Sequence, residues 1–314
     1  MKKITLLIPA YNEEEVLEMF YNEVITIINS CNNYKFELLF INDGSTDNTL
    51  EIIRKFQIND NRVSYLDLSR NYGKEIAMAA GIDKVNSDAM IIMDADLQDP
   101  PELIKEMIIG FEEGYDDVYA KRISRDGETI LKKLTSKIFY KVLDGISRVP
   151  IQKDTGDFRL LSKKAVESMK KFDESQRYTK GLFSLIGHRK KEILFERKPR
   201  AAGNTKWNYL KLTELAIEGI TSFTTAPLKL ATYVGFIISL LSLIYITVIV
   251  VKTLVFGITT PGYASLMCVI LLMGGLQFIF IGVIGEYLGR VFLETKKRPL
   301  YFINEFSRVN DNEE

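Results

Sequence analysis

The sequence predicts an α/β protein, with a doubly wound, mostly parallel sheet followed by an interfacial helix and a two-helix transmembrane hairpin. Three observations predict it. Up to about residue 200, short apolar runs alternate with segments of helical periodicity, a pattern that builds a parallel sheet with helices on both faces. Two later apolar stretches, about Leu230 to Val251 and about Leu266 to Leu288, each exceed the roughly 18 residues of a membrane-spanning candidate. Finally, two carboxylates, Asp94 and Asp96, stand directly after the apolar run Ala89–Met93. That is the carboxyl end of a strand, where open α/β sheets bind ligands.

The elements follow in order. Ile4–Ile8 is a first strand, after which Asn12 is expected to cap a helix, with Glu15 as its capping-box partner. Val16, Leu17, Phe20, Val24 and Ile28 recur at helical spacing on its inner face. Phe36–Ile41 is a second strand, and Thr46 or Asp47 starts a helix carrying Leu50, Ile53 and Phe56. Val63–Leu68 is a third strand, with a helix through Ala77–Lys84 behind it. The Ala89 run is the fourth strand and reads as a buried parallel one. Pro101 belongs in the first turn of the next helix, where a missing N–H costs nothing. Val118–Ala120 is a short fifth strand.

Four strand-to-helix loops carry the polar residues and share one sheet edge: 9–13, 42–47, 69–74 and 94–101. Tyr11 and Asp43 suit a base and ribose, while Arg70 and Lys74 suit phosphate charge. Asp94 and Asp96, one residue apart, suit a single hard divalent cation, Mg²⁺ or Mn²⁺, which completes its shell with phosphate oxygens and water. The chain has neither G-x-G-x-x-G nor G-x-x-x-x-G-K-[ST], which disfavours a dinucleotide oxidoreductase or a P-loop nucleotidase.

The chain has 314 residues, with 41 Lys plus Arg against 41 Asp plus Glu, and that balance argues against nucleic acid as a partner. Cys31 and Cys268 lie too far apart to suggest a disulfide framework or zinc site, and the lone His188 reads as a surface or packing residue. The N-terminus lacks the apolar core of a signal peptide. Residues 1–206 read as a catalytic domain, 207–226 as an interfacial segment, 227–289 as the hairpin and 290–314 as a tail. Trp207–Phe223 reads as a helix lying at the membrane surface or as the last helix of the soluble domain. Lys and Arg crowd both outer flanks of the hairpin, with only Lys252 near its turn, so the catalytic domain and C-terminus are expected in the cytoplasm. Glu286, near the end of the second apolar stretch, reads as a functional intramembrane acid or, with Arg290 four residues on, as one member of an interfacial ion pair.

Six ordered motifs carry a family resemblance: P-A-Y-N-E at 9–13, N-D-G-S-T-D at 42–47, R-N-Y-G-K at 70–74, D-A-D-L-Q-D-P-P-E at 94–102, D-T-G-D-F-R-L-L at 154–161 and R-A-A-G-N-T-K-W at 200–207. With the hairpin, nearly the whole chain resembles family 2 glycosyltransferases of the GT-A fold. Within them it is similar to the GtrB-type bactoprenol (undecaprenyl) phosphate glycosyltransferases, relatives of dolichol phosphate mannose synthases. The second motif departs slightly, with Asn42 where many relatives have an acid. The resemblance implies transfer of a monosaccharide from a nucleotide sugar, UDP-linked, to undecaprenyl phosphate at a bacterial membrane. It implies nucleotide-sugar contacts from Pro9, Tyr11, Glu13, Asp43, Lys74, Asp94, Gln98 and Arg122, with Asp96 as the metal ligand. Asp157 stands where the family has its base, beside Asp94 and Asp96 in the catalytic set. Arg159, Arg200 and Lys206 are expected at the acceptor phosphate. A homo-oligomer, a tetramer, is implied as well.

Two other readings are weighed against this one. A processive polysaccharide synthase typically has more spans and a Q-x-x-R-W motif, whereas this chain has Gln176-Arg177-Tyr178 and two spans. A non-catalytic membrane-anchored subunit would have no need of the acids at 94 and 96, and both are present.

Overall fold

A computed structural model describes residues 1–123, 155–175, 177, 179–196, 226–256 and 262–308. Arg200, Lys206, the Trp207–Phe223 segment and most of the turn between the long helices lie outside the described residues. The elements run β1 (Lys2–Ala10), α1 (Leu17–Asn29), β2 (Tyr34–Asn42), α2 (Thr49–Asn59), β3 (Val63–Leu68), α3 (Lys74–Lys84), β4 (Ala89–Ile92) and α4 (Leu103–Glu112). They continue with β5 (Asp117–Arg122), β6 (Thr155–Ser162), α5 (Lys163–Met169), α6 (Thr179–Leu185), β7 (Lys190–Phe195), α7 (Ala226–Phe256), α8 (Tyr263–Thr295) and β8 (Ile303–Ser307).

The eight strands form one sheet in the order β7-β5-β6-β4-β1-β2-β3-β8. The pairs β1–β2, β1–β4, β2–β3 and β5–β7 are parallel, as the βα alternation requires. β6 runs antiparallel between β4 and β5, and β8 antiparallel along the outer edge of β3. Strand alternation sends Ile4, Leu6 and Ile8 to one face, where they join Phe20 and Val24 of α1, Ile53 of α2 and Ile104 and Met107 of α4 in a single core. The opposite face takes α3. Gly81 lies so close that an added methyl would come within 2.6 Å of Leu7 and 2.9 Å of Ile41, so α3 packs there only because residue 81 has no side chain. Helices thus cover both faces of the central strands, as the sequence predicts.

Several boundaries differ from the sequence expectation, each for a local reason. α1 starts at Leu17, behind Val16, with no side-chain cap. Asn12 takes a positive φ of 53°, and its Oδ1 accepts the Thr46 N–H at 2.8 Å. It therefore ties two loops together instead of capping a helix with Glu15. α2 starts at Thr49, whose N–H donates to Asp47 Oδ1 at 3.0 Å, so Asp47 stands two residues before the helix and is not its first residue. α4 starts at Leu103, and Pro100 and Pro101 supply the carbonyls that accept its first N–H groups.

The segment after residue 290, expected to be a plain tail, instead continues α8 to Thr295 and then adds β8 to the sheet. Arg54 and Tyr65 hold Glu305 at 2.7 Å each, and Arg308 pairs with buried Glu37 at 3.1 Å. The sheet, β8 included, belongs to one compact unit, and α7 and α8 belong to a second. Within α7 and α8, Pro227–Tyr245 and Leu272–Thr295 are long and apolar enough to cross a membrane, with mean hydropathy 1.8 and 1.5. Leu230, Phe236, Leu241, Leu272 and Phe278 are exposed along them, as lipid-facing side chains would be. Arg290 pairs with Glu286 at 3.0 Å, the expected spacing on one helix face.

Candidate active site

The loops after β1, β2, β3 and β4 converge because parallel strands end on one edge. Their backbones are stitched to one another. The Asn12 N–H donates to Ser45 Oγ at 3.0 Å and the Glu13 N–H to Thr49 Oγ1 at 2.9 Å, joining the first loop to the second. Gly44, at φ 63°, lies against the third loop, and a Cβ there would stand 2.3 Å from the Arg70 carbonyl carbon. Only glycine permits that approach. Asp43 is buried and accepts the N–H groups of Tyr72 at 2.7 Å and Gly73 at 2.9 Å. Burial pushes its carboxyl up, and these two bonds oppose the shift. Asp43, expected beside the base, thus also fixes the loop that carries Lys74. Arg70 stacks on the Tyr72 ring at 4.1 Å. Asn42 is buried and donates to Asp67 at 2.6 Å.

In the fourth loop Asp96 Oδ1 accepts the Gln98 N–H at 3.1 Å. Between them Leu97 is buried at φ 56°, a conformation a branched residue adopts only when its surroundings impose it. Gln98 is buried, and Tyr11 is 37% exposed at the rim. Lys74 Nζ reaches the carboxylates of Asp94 at 2.7 Å and Asp157 at 2.6 Å, so three residues the sequence singles out meet directly. Arg122, at the end of β5, lies beside Gly156 on the neighbouring strand. Burial would raise the Asp157 carboxyl, but Lys74 and then Lys180 outweigh it and hold it at about 2. The Lys74 ammonium, which burial would lower, is held well above the ordinary lysine range by Asp157 and Asp94.

Oxygen donors of this kind fit a hard divalent cation. Asp157 keeps a buried carboxylate oxygen that accepts no hydrogen bond, so acceptor capacity remains in the cluster. Among the described residues no group of three or more His, Cys, Asp or Glu converges on one point. Asp94 and Asp96 would supply few of the ligands, the rest coming from substrate phosphates and water, as is usual for Mg²⁺.

Arg159 requires a correction. Expected at the acceptor phosphate, it is 0% exposed and pairs at 3.1 Å with Asp117, itself 0% exposed. Its guanidinium lies 3.8 Å from the Phe183 ring centre. Alternation along β6 explains this, since Asp157 and Arg159 share a face, Asp157 reaching Lys74 while Arg159 is covered by α6.

Sequence reasoning also missed Glu75, Thr179 and Lys180. Glu75 Oε2 accepts both the Thr179 N–H, at 3.1 Å, and the Thr179 hydroxyl. Burial, and then the charge of Asp157, push Glu75 up to about 7. Lys180 is lowered by burial and opposed by Asp157. Glu75 is the chain neighbour of Lys74, but nothing local in the sequence links it to Thr179, 104 positions away. A carboxyl raised in the folded state contributes stability below its ordinary value, 4.5, and loses it as pH rises through about 7. Glu75→Gln should therefore flatten the fall in melting temperature across that window and melt higher than wild type at about pH 8. A parallel fall in both proteins would contradict this.

The fold and its loop cluster define an α/β protein whose polar site lies at one edge of a mostly parallel sheet. Residues 5–169 match the family model for glycosyl transferase family 2, and residues 226–291 match that for the GtrB C-terminal hairpin. The chain belongs to glycosyl transferase family 2. It is 48% identical over 303 residues to an uncharacterized glycosyltransferase of Synechocystis sp., covering 96% of this chain and 95% of that protein. It is 42% identical over 306 residues to the prophage bactoprenol glucosyl transferase homolog of Escherichia coli, covering 98% and 100%. It is 43% identical over 301 residues to the bactoprenol glucosyl transferase of Shigella phage SfX, covering 96% and 98%. Among solved structures, a mannosyltransferase from Pyrobaculum calidifontis in complex with GDP-Man and Mn²⁺ aligns over 67% of this chain and 59% of that one, with 16% identity and a TM-score of 0.48.

Proposed function

We propose that this glycosyltransferase moves a hexose from a UDP-sugar to undecaprenyl phosphate at the cytoplasmic face of a bacterial membrane, with inversion at the anomeric carbon. The observation that carries the reading is similarity to bactoprenol glucosyl transferases along essentially the whole chain, hairpin included. Full-length protein in membranes, given undecaprenyl phosphate and a panel of labelled nucleotide sugars, should yield a lipid-linked monosaccharide, with UDP-glucose the first donor to try. A polymeric product, or none with any donor, would overturn the proposal.

One feature supports the cytoplasmic placement, and a second supports having both ends of the hairpin on one side. Lys and Arg crowd the flanks of the hairpin. In addition, β8 follows both long helices yet pairs with β3. A chain that crosses twice returns to the side it left, as that pairing requires.

Pro9, Tyr11, Glu13, Asp43 and Gln98 are assigned to the nucleotide, and Arg122 and Lys74 to the diphosphate. Asp96, with Asp94 beside it, would hold Mg²⁺ or Mn²⁺. When bound, that ion neutralises charge developing on the departing UDP. For the acceptor phosphate the assignment rests on Arg200 and Lys206, since Arg159 is occupied in the core.

A phosphate monoester is already anionic near neutral pH, with a second pKa of about 6, so the acceptor needs no strong base. What the site must do is hold two anions in line. The ion pair between Asp157 and Lys74 supports an orienting role for Asp157, and a carboxylate held at about 2 is a weak proton acceptor. Asp157→Asn should accordingly lose less turnover at saturating lipid than the roughly 10²–10⁴-fold of an obligatory base. Michaelis constants for donor or acceptor should rise instead. A loss beyond a thousandfold, with the wild-type acid limb following a single carboxylate, would restore Asp157 as the base.

A further inference from the structure

Lys74 is the first residue of α3, where the helix dipole opposes a positive charge. Its ammonium is held there by two carboxylates from different strands, Asp94 after β4 at 2.7 Å and Asp157 on β6 at 2.6 Å. The backbone that carries it is fixed independently, through the bonds from the Tyr72 and Gly73 N–H groups to Asp43. A lysine ammonium on its flexible four-carbon stem can therefore move while the helix start stays put.

Asp94 is thus claimed twice, by an ammonium and by the divalent cation assigned to the Asp94–Asp96 pair. We propose that Lys74 is the resident counter-cation of this site. It bridges Asp94 and Asp157 while no donor is present and makes capture of the divalent cation contingent on a nucleoside diphosphate. The inference rests on the metal reading given above. A dication arriving alone meets a like charge already in contact with Asp94. A dication arriving with a diphosphate does not, because the phosphate oxygens give the ammonium a new partner and complete the metal's shell. Lys74 then passes from Asp94 to the leaving diphosphate while keeping Asp157 as its second partner. Metal and donor load together, and a free carboxylate pair is never presented to the cell's Mg²⁺.

Mn²⁺ binding to the full-length protein in detergent, read from the free-ion signal by electron paramagnetic resonance, tests this without any turnover. In wild type, UDP should tighten Mn²⁺ binding by at least about tenfold. Without UDP, Lys74→Met should bind Mn²⁺ at least about tenfold more tightly than wild type, and UDP should tighten its binding by a smaller factor than in wild type. Lys74→Arg should behave as wild type. Lys74→Gln, neutral but polar, should follow the Met variant and serves if that one unfolds. If neither neutral variant binds Mn²⁺ more tightly than wild type while UDP still promotes binding in wild type, the counter-cation role is overturned and the metal site stands. If wild type binds no Mn²⁺ even with UDP, the metal reading falls and the proposal falls with it.

Discussion

Asp96→Ala is expected to lower sugar transfer by at least about a thousandfold while the protein still folds and inserts. The size follows from the role assigned to the residue. Electrostatic stabilisation of a developing leaving-group charge by a bound cation is worth several kcal/mol, and each 1.36 kcal/mol is about a factor of ten in rate. The structural cost is small by comparison. Asp96 is only half-buried, and it accepts the Gln98 N–H at 3.1 Å. Losing that bond should release part of the constraint that holds Leu97 at positive φ, a local change. The melting temperature should therefore move little. Excess EDTA should stop wild-type turnover, and Mg²⁺ or Mn²⁺ should restore it. Full turnover by a metal-stripped sample in EDTA would refute the metal role, and an early-melting variant would move Asp96 from chemistry to folding.

The parts of the fold that short-range pattern specifies were legible in the sequence. β3 is Val63–Leu68 as expected, and the buried run at Ala89 is a central strand, because continuous apolar runs bounded by polar loops have few other uses. The meeting of four loops on one edge follows from parallel pairing alone. What the sequence hid depends on contacts across long separations. β8 joins β3 although its residues, Ile303–Ser307, follow two long apolar helices, and edge pairing leaves only a weak local signature. Asn12 has the composition of a helix cap, but its oxygen is claimed by the Thr46 N–H, 34 residues away. Lys74 reads as a phosphate ligand, and its position between two acids emerges only when β4 and β6 are side by side.

Arg159→Ala should destabilise the catalytic domain by up to about 3–5 kcal/mol, the usual cost of breaking a buried ion pair, because, among the described residues, Asp117 then keeps only Lys190, 4.0 Å away, as an ion-pair partner. The family resemblance puts Arg159 at the acceptor phosphate. Burial decides otherwise. Both members of the Arg159–Asp117 pair are 0% exposed, and the guanidinium is stacked on Phe183, so an alanine here removes a charge partner and packing surface together. Burial already pushes the Asp117 carboxyl up, with Arg159 opposing the shift. Without Arg159 the acid would take up a proton or admit water, and either weakens the β5–β6 contact. The two readings separate cleanly in measurement. A core role predicts a large drop in melting temperature and, in whatever protein stays folded, an unchanged Michaelis constant for polyprenyl phosphate. A phosphate role predicts a normal melt and a raised constant for that substrate alone. The double variant Asp117→Leu, Arg159→Met sharpens the distinction. Replacing both charges with apolar groups of similar volume removes the stranded carboxylate, and such replacements are often neutral or stabilising. It should therefore recover most of the stability that Arg159→Ala loses, which no loss of a phosphate ligand could reproduce.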